Sequence, residues 1–198
     1  MLKTGHFRPA VLGFAIGALS VTAYAAPMTY TIDPAHTYPS FEVDHSGGVS
    51  VWRGKFNSTS GTITMDKEAQ TGSVNVAIDM NSINFGHDGL NDHTKGSDPG
   101  MLNAAEFPTA TYTGTLVDWE DGAPTAVEGE LTMHGMTLPV NLEIRSFQCG
   151  PGRGGSGEVC GADAHGEFNR ADFGVNFAEA FGFDMGVALR IQIEAQSE

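Results

Sequence analysis

The chain has 198 residues, of which 40% are hydrophobic, only 17% are charged and 26 are glycine. This composition excludes a disordered acidic tail or a coiled coil, and the length leaves room for one ordinary domain. Acids outnumber bases 24 to 10, a formal net charge of −14, which argues against a nucleic-acid binder and against electrostatic docking on anionic lipid.

Residues 1–25 read as an address. Lys3 and Arg8 precede an apolar stretch over residues 10–21, and Ala23-Tyr24-Ala25 follows as a small-x-small cleavage pattern. Charged start, short apolar run and A-x-A site are the marks of a secretory signal peptide. As a helix the apolar run rises only about 18 Å, short of a bilayer core of roughly 30 Å. The expectation is a mature domain over residues 26–198, periplasmic or secreted, with no integral membrane segment after cleavage.

Period-two alternation dominates the mature chain. Phe41, Val43 and His45 share one strand face, and Trp52, Gly54 and Phe56 share another. Ile63 and Met65 repeat the pattern, as do Val74, Val76, Ile78 and Met80. A further strand is expected over residues 110–117. Later strands carry Val127, Leu131 and Met133, then Leu138, Val140, Leu142 and Ile144, and finally Val187, Leu189, Ile191 and Ile193. Gly47-Gly48, Asp121-Gly122 and His134-Gly135 supply turns between them. Residues 83–106 break the rhythm and are too long for a bare loop; one or two short helices covering something are expected there. About eight half-apolar strands leave two architectures open, a two-sheet sandwich or a closed barrel.

Cys149 and Cys160 are the only cysteines and flank a run with five glycines. In an exported protein an even count of two points to one disulfide, whose short loop contributes a little under roughly 3 kcal/mol.

Catalytic patterns are thin. No G-x-S-x-G is present, and the G-x-G-x-x-G string over residues 150–155 lies between two cysteines rather than between a strand and a helix. His87 and His93 fall in the irregular segment beside Asp88 and Asp92. They read as surface residues; the competing reading is a loose N/O metal site. Asp33-Pro34-Ala35-His36 reads as an Asx-type turn.

Four stretches resemble the YceI-like lipid/polyisoprenoid-binding family. They are YTIDPAHTYPSFEVDH (30–45), VWRGKFNSTSGTITMD (51–66), AEFPTATYTG (105–114) and GELTMHGMTLPVNL (129–142). In order and at family-like spacing, they cover nearly all of the mature chain. The stretch from Cys160 to Ala195 looks like a subgroup carrying paired cysteines. The resemblance implies an all-β, lipocalin-like extended antiparallel barrel with a helical insertion around 83–106, in the periplasm or secreted. It also implies a lumen holding a polyisoprenoid or quinone-like lipid, with no cofactor and no catalytic residues. The chain departs from the family before Pro108, where the spacer is about two residues longer and Met101-Leu102 replace bulky rings.

The residues expected to line the lumen share one strand phase: Phe41, Val43, Trp52, Phe56, Ile63, Val76, Ile78, Leu131 and Ile191. The expected function is that of a noncatalytic carrier or sequestering protein, with homodimerisation left open. Two other readings stand beside it. One is a metal-dependent periplasmic enzyme using His87 and His93; the other is a dry β-sandwich interaction module.

Overall fold

The alternating segments form strands whose apolar faces all turn to one interior. The structure, a computed structural model, describes Met1, residues 26–155 and residues 157–197; the expected signal peptide falls on residues almost wholly outside these. The first strands are β1 (Met28–Ile32), β2 (Tyr38–His45), β3 (Ser50–Phe56), β4 (Thr59–Asp66), β5 (Thr71–Asp79) and β6 (Ile83–Asn84). After helix α1 (Asp88–Lys95) come β7 (Thr109–Glu120), β8 (Ala123–Met133), β9 (Met136–Pro139), β10 (Leu142–Pro151), β11 (Glu158–Asn169) and β12 (Gly186–Ser197). No helix among the described residues is long and apolar enough to cross a membrane.

Eight strands close on themselves in the order β1-β4-β5-β7-β8-β10-β11-β12, with β12 returning to β1, every pair antiparallel. The fold is a closed barrel, and the two-sheet sandwich does not describe it. Closure leaves no free edge within the eight-strand ring and turns the inward phase of its strands to one lumen.

One edge of β12 serves two partners. Its last residues pair with β1 (Tyr30 opposite Ser197), and its first half pairs with β2 (Val43 opposite Val187). The chain steps from one to the other through the Asp33 turn, where the Ala35 N–H donates to Asp33 Oδ1 at 2.8 Å. Buried Thr37 anchors the step, donating to the Glu194 carbonyl at 3.0 Å and accepting from the Glu194 N–H at 3.1 Å. Beyond β2 the sheet continues through β3 to β6. The barrel is therefore closed at the β1 end and splayed at the other.

Residues 83–106 cover the splayed end with one helix. His87 caps α1, its Nδ1 accepting from the Leu90 N–H at 3.1 Å. The following turn folds back, Leu102 and Ala104 donating to the Thr94 and Lys95 carbonyls. Gly54, facing Phe41 across β2 and β3, has a packing reason to be glycine, because a Cβ there would lie 2.6 Å from the Phe41 ring.

Two local features depart from simple alternation. The strand expected over residues 138–144 is interrupted between β9 and β10, where Pro139 offers no N–H and the Asn141 side chain accepts from the Gly129 N–H at 3.2 Å. A bulge between Ile144 and Ser146 then shifts the phase, so Ile144 and Phe147 both face inward. Cys149 and Cys160 sit opposite one another on β10 and β11 and are bridged, with Cα atoms 4.0 Å apart.

Candidate functional site

The barrel encloses two adjoining cavities. The inner one, of about 150 Å³, lies among the inward residues of β4, β5, β7, β8 and β10–β12. Its walls are apolar apart from Thr37, Thr59 and Tyr112. The Tyr112 hydroxyl donates to the Val140 carbonyl at 2.9 Å, and burial raises its pKa, so the phenol stays protonated.

The outer cavity, of about 290 Å³, occupies the splayed end. Phe41, Phe56, Met133, Phe168 and Val187 belong to both walls and form a neck between the two spaces. Phe41 holds this neck through ring contacts with Phe56 at 5.7 Å and Phe85 at 5.5 Å, the second edge to face. Trp52 stacks on His45 with ring centres 4.7 Å apart. From α1 and the turn after it come Leu90, His93, Met101 and Leu102; from the loop before β12 come Val175, Phe177 and Phe183.

The charged groups at this end are engaged with the protein itself. Arg170 Nη1 donates to the Val175 carbonyl at 2.7 Å and Nη2 to the Phe177 carbonyl at 3.0 Å, fixing the loop that walls the cavity. Burial lowers the Arg170 pKa from its ordinary value. Asp44 accepts from the Gly48 N–H at 2.6 Å and the Asp184 N–H at 3.0 Å. The Asp184 amide is the main influence holding the Asp44 carboxyl below the usual carboxylate range. Asp44 thus ties the β2–β3 turn to the loop before β12. The mouth presents aromatic surface flanked by committed charges.

All nine residues expected at the lumen line one of these cavities. Phe41 and Phe56 face both, Ile63, Val76, Ile78, Leu131 and Ile191 face the inner one, and Val43 and Trp52 face the outer one. Met101 and Leu102, where the chain departs from the family pattern, are buried and help close the outer cavity.

His87 and His93 are both exposed. His87 caps its helix, while His93 lies 3.8 Å from Asp98, meets Phe177 edge to face and touches the outer cavity. Among the described residues neither belongs to a cluster of three potential metal ligands; such clusters occur at Asp33–His36–Glu194 and at Cys149–Glu158–Cys160. His36 Nδ1 lies 2.7 Å from Asp33 Oδ2, which raises the histidine pKa and lowers that of the aspartate. The two cysteines are joined to each other.

The YceI-like domain model matches residues 30–197. The chain belongs to the YceI-like family. Protein YceI of Salmonella arizonae is 34% identical over 169 residues, spanning 83% of this chain and 86% of that protein. Among solved structures, Burkholderia cenocepacia BcnA superposes with a TM-score of 0.62 at 21% identity, covering 83% of this chain and 99% of its own. A polyisoprenoid-binding domain from Saccharophagus degradans, described as implicated in plant cell wall breakdown, gives 0.61 at 16% identity, covering 86% and 99%. At these identities the structural matches establish the shared YceI-like barrel.

Several wall residues lie outside the expected set. Ala162, Ala164 and Phe168 come from β11, where small residues and glycine blur the apolar alternation. Phe85, Phe177 and Phe183 sit in irregular chain. Their only sequence signal is a phenylalanine recurring among glycine, asparagine and aspartate, where solvent-exposed loops are usually polar.

Proposed function

We propose that this YceI-like protein is a noncatalytic carrier or sequestering protein for a long apolar amphiphile, a polyisoprenoid or isoprenoid quinone-like lipid, acting in the periplasm or after secretion. The observation that carries this reading is the pair of contiguous apolar cavities running from the mouth into the barrel. Such walls draw in an unbranched or prenyl chain, because every methylene moved from water to an apolar wall is worth about 0.8 kcal/mol. The aromatic mouth suits a flat neutral head, and Arg170, already bonded to two carbonyls, offers a diphosphate little. The Saccharophagus relative, described as a polyisoprenoid-binding domain, supports the same ligand class.

The test is mass spectrometry of an organic extract from protein purified without detergent from its native host. The expected result is a long isoprenoid species at close to one per chain. An extract with no lipid above background removes the reading.

A further inference from the structure

The rim of the outer cavity carries apolar side chains that the fold leaves in water. Two segments meet there, residues 44–51 around the β2–β3 turn and residues 171–186 in the loop before β12. The Asp184 N–H donates to Asp44 Oδ2 at 3.0 Å, and a Cβ on Gly47 would stand 3.4 Å from the Gly182 carbonyl oxygen, so the two segments abut. Phe177, Ala178 and Phe183 line the cavity, whereas Phe181, between them, is 81% exposed. On the other segment Val49 is 80% exposed and Val51 54%. Among the described residues after Met1, six large apolar side chains are exposed, and four of them, Val49, Val51, Phe177 and Phe181, lie in these two segments. Single exposed apolar residues need no explanation, but four beside one opening mark a contact surface. The same segments hold four acids, Asp44, Asp172, Glu179 and Asp184, and no lysine or arginine.

We infer that these segments form a docking tip for a bilayer of zwitterionic lipid, with Phe181 and Val49 entering the bilayer surface and the outer cavity opening against it. This rests on the carrier reading above and names where the cargo is exchanged. A long apolar chain that leaves a bilayer through water exposes every methylene on the way, so exchange is fastest where the mouth itself meets the hydrocarbon. The four acids, with no base among them, give an anionic surface nothing to hold, and attachment comes from apolar area alone. They also oppose a second copy of the chain, whose tip would bring like charges against this one.

The experiment follows uptake of a fluorescently labelled long-chain prenol from phosphatidylcholine vesicles by the delipidated protein. Phe181→Ser should take up the prenol about tenfold more slowly, the factor expected for losing one partly inserted ring, and Val49→Ser should slow uptake less. Both should reach the wild-type amount at equilibrium, since neither side chain lines a cavity. Both should melt with wild type, because each side chain already lies in water. Phe181→Leu, which keeps the apolar area, should retain most of the rate. Replacing about 30% of the lipid by phosphatidylglycerol should slow wild-type uptake at low salt. A wild-type rate in Phe181→Ser, or faster wild-type uptake from the anionic vesicles, overturns the docking tip and leaves the carrier reading intact. A wild-type dimer that Phe181→Ser dissociates without slowing uptake also overturns it, assigning the surface to a second copy. Failure of wild type to take up prenol, from vesicles or from dilute solution, removes both.

Discussion

The Tyr30 hydroxyl donates to Glu158 at 2.6 Å, joining residues 128 positions apart in the chain. Lys67 reaches the same carboxylate oxygen at 2.7 Å. The triad lies at the closed end of the barrel, where β1 fills the gap between β4 and β12. Tyr30 is 2% exposed, so its ring packs this end while its hydroxyl is tied off by a charge.

That triad makes stability depend on pH. Lys67 first, and Tyr30 second, hold the Glu158 carboxyl below its ordinary 4.5. A carboxylate depressed in the folded state contributes its full share above pH 4.5 and loses it as pH falls through the folded value. The side chain is about a third exposed, so screening limits the share to about 1 kcal/mol. Glu158→Gln should lower the melting temperature at pH 7, with the difference from wild type shrinking steadily toward pH 3. A difference independent of pH would refute this account.

Cys149 and Cys160 should resist alkylation until reduced. The bridge spans 11 positions, so its removal should cost at most about 3 kcal/mol. Melting followed with and without reductant should fall by roughly 5–10 °C while remaining cooperative. Two free thiols in protein from an oxidising compartment would be inconsistent with the bridge.

Ala164 is 1% exposed and lines the inner cavity. Ala164→Leu should direct its added carbons into that space, destabilising by no more than about 1–3 kcal/mol through local crowding. The variant should fold and carry less lipid than wild type. Normal lipid content in a folded Ala164→Leu protein would place the ligand elsewhere.

The net charge of −14 bears on head-group choice. Binding of a neutral-headed prenyl lipid should be unchanged between about 50 mM and about 0.5 M salt, whereas a diphosphate-headed analogue should bind better as screening weakens repulsion. Isothermal titration at the two ionic strengths separates the cases; diphosphate binding that weakens with salt would reveal an anion site at the mouth.

His87→Ala should loosen α1, since loss of a helix cap costs about 0.5–2 kcal/mol. Hydrogen exchange at Leu90, whose N–H His87 accepts, should accelerate while the barrel amides stay protected. Loss of a stoichiometric metal in the His87→Ala, His93→Ala double variant would instead revive the metal-site reading.

The barrel was largely legible in the sequence because inward positions such as Val74, Val76 and Ile78 alternate cleanly, and alternation reports burial directly. It could not separate sandwich from barrel, since closure depends on Tyr30 meeting Ser197 across the whole chain. β11 stayed hidden because its inward positions include Ala162, Ala164 and Gly166, residues too small to mark a face. The inner wall follows strand phase, which is why Ile63, Leu131 and Ile191 line it. The mouth is less visible in the sequence, because its loop is set by Arg170 donating to the Phe177 carbonyl and by the Asp184 N–H, next to Phe183, donating to Asp44, bonds that no periodicity encodes.

The double use of β12 also dictates how the chain must fold. That strand is the last in sequence, yet β1, β2 and β11 all hydrogen-bond to it. Until it emerges, three neighbouring strands have bare edges and no ring can form, so a chain stopped short near residue 185 should stay open and aggregation-prone. Closure joins β1 to β12, a contact of very high order, and assembly is accordingly expected on the slow, millisecond-to-second side of single-domain folding. The step that completes the ring therefore waits on β12.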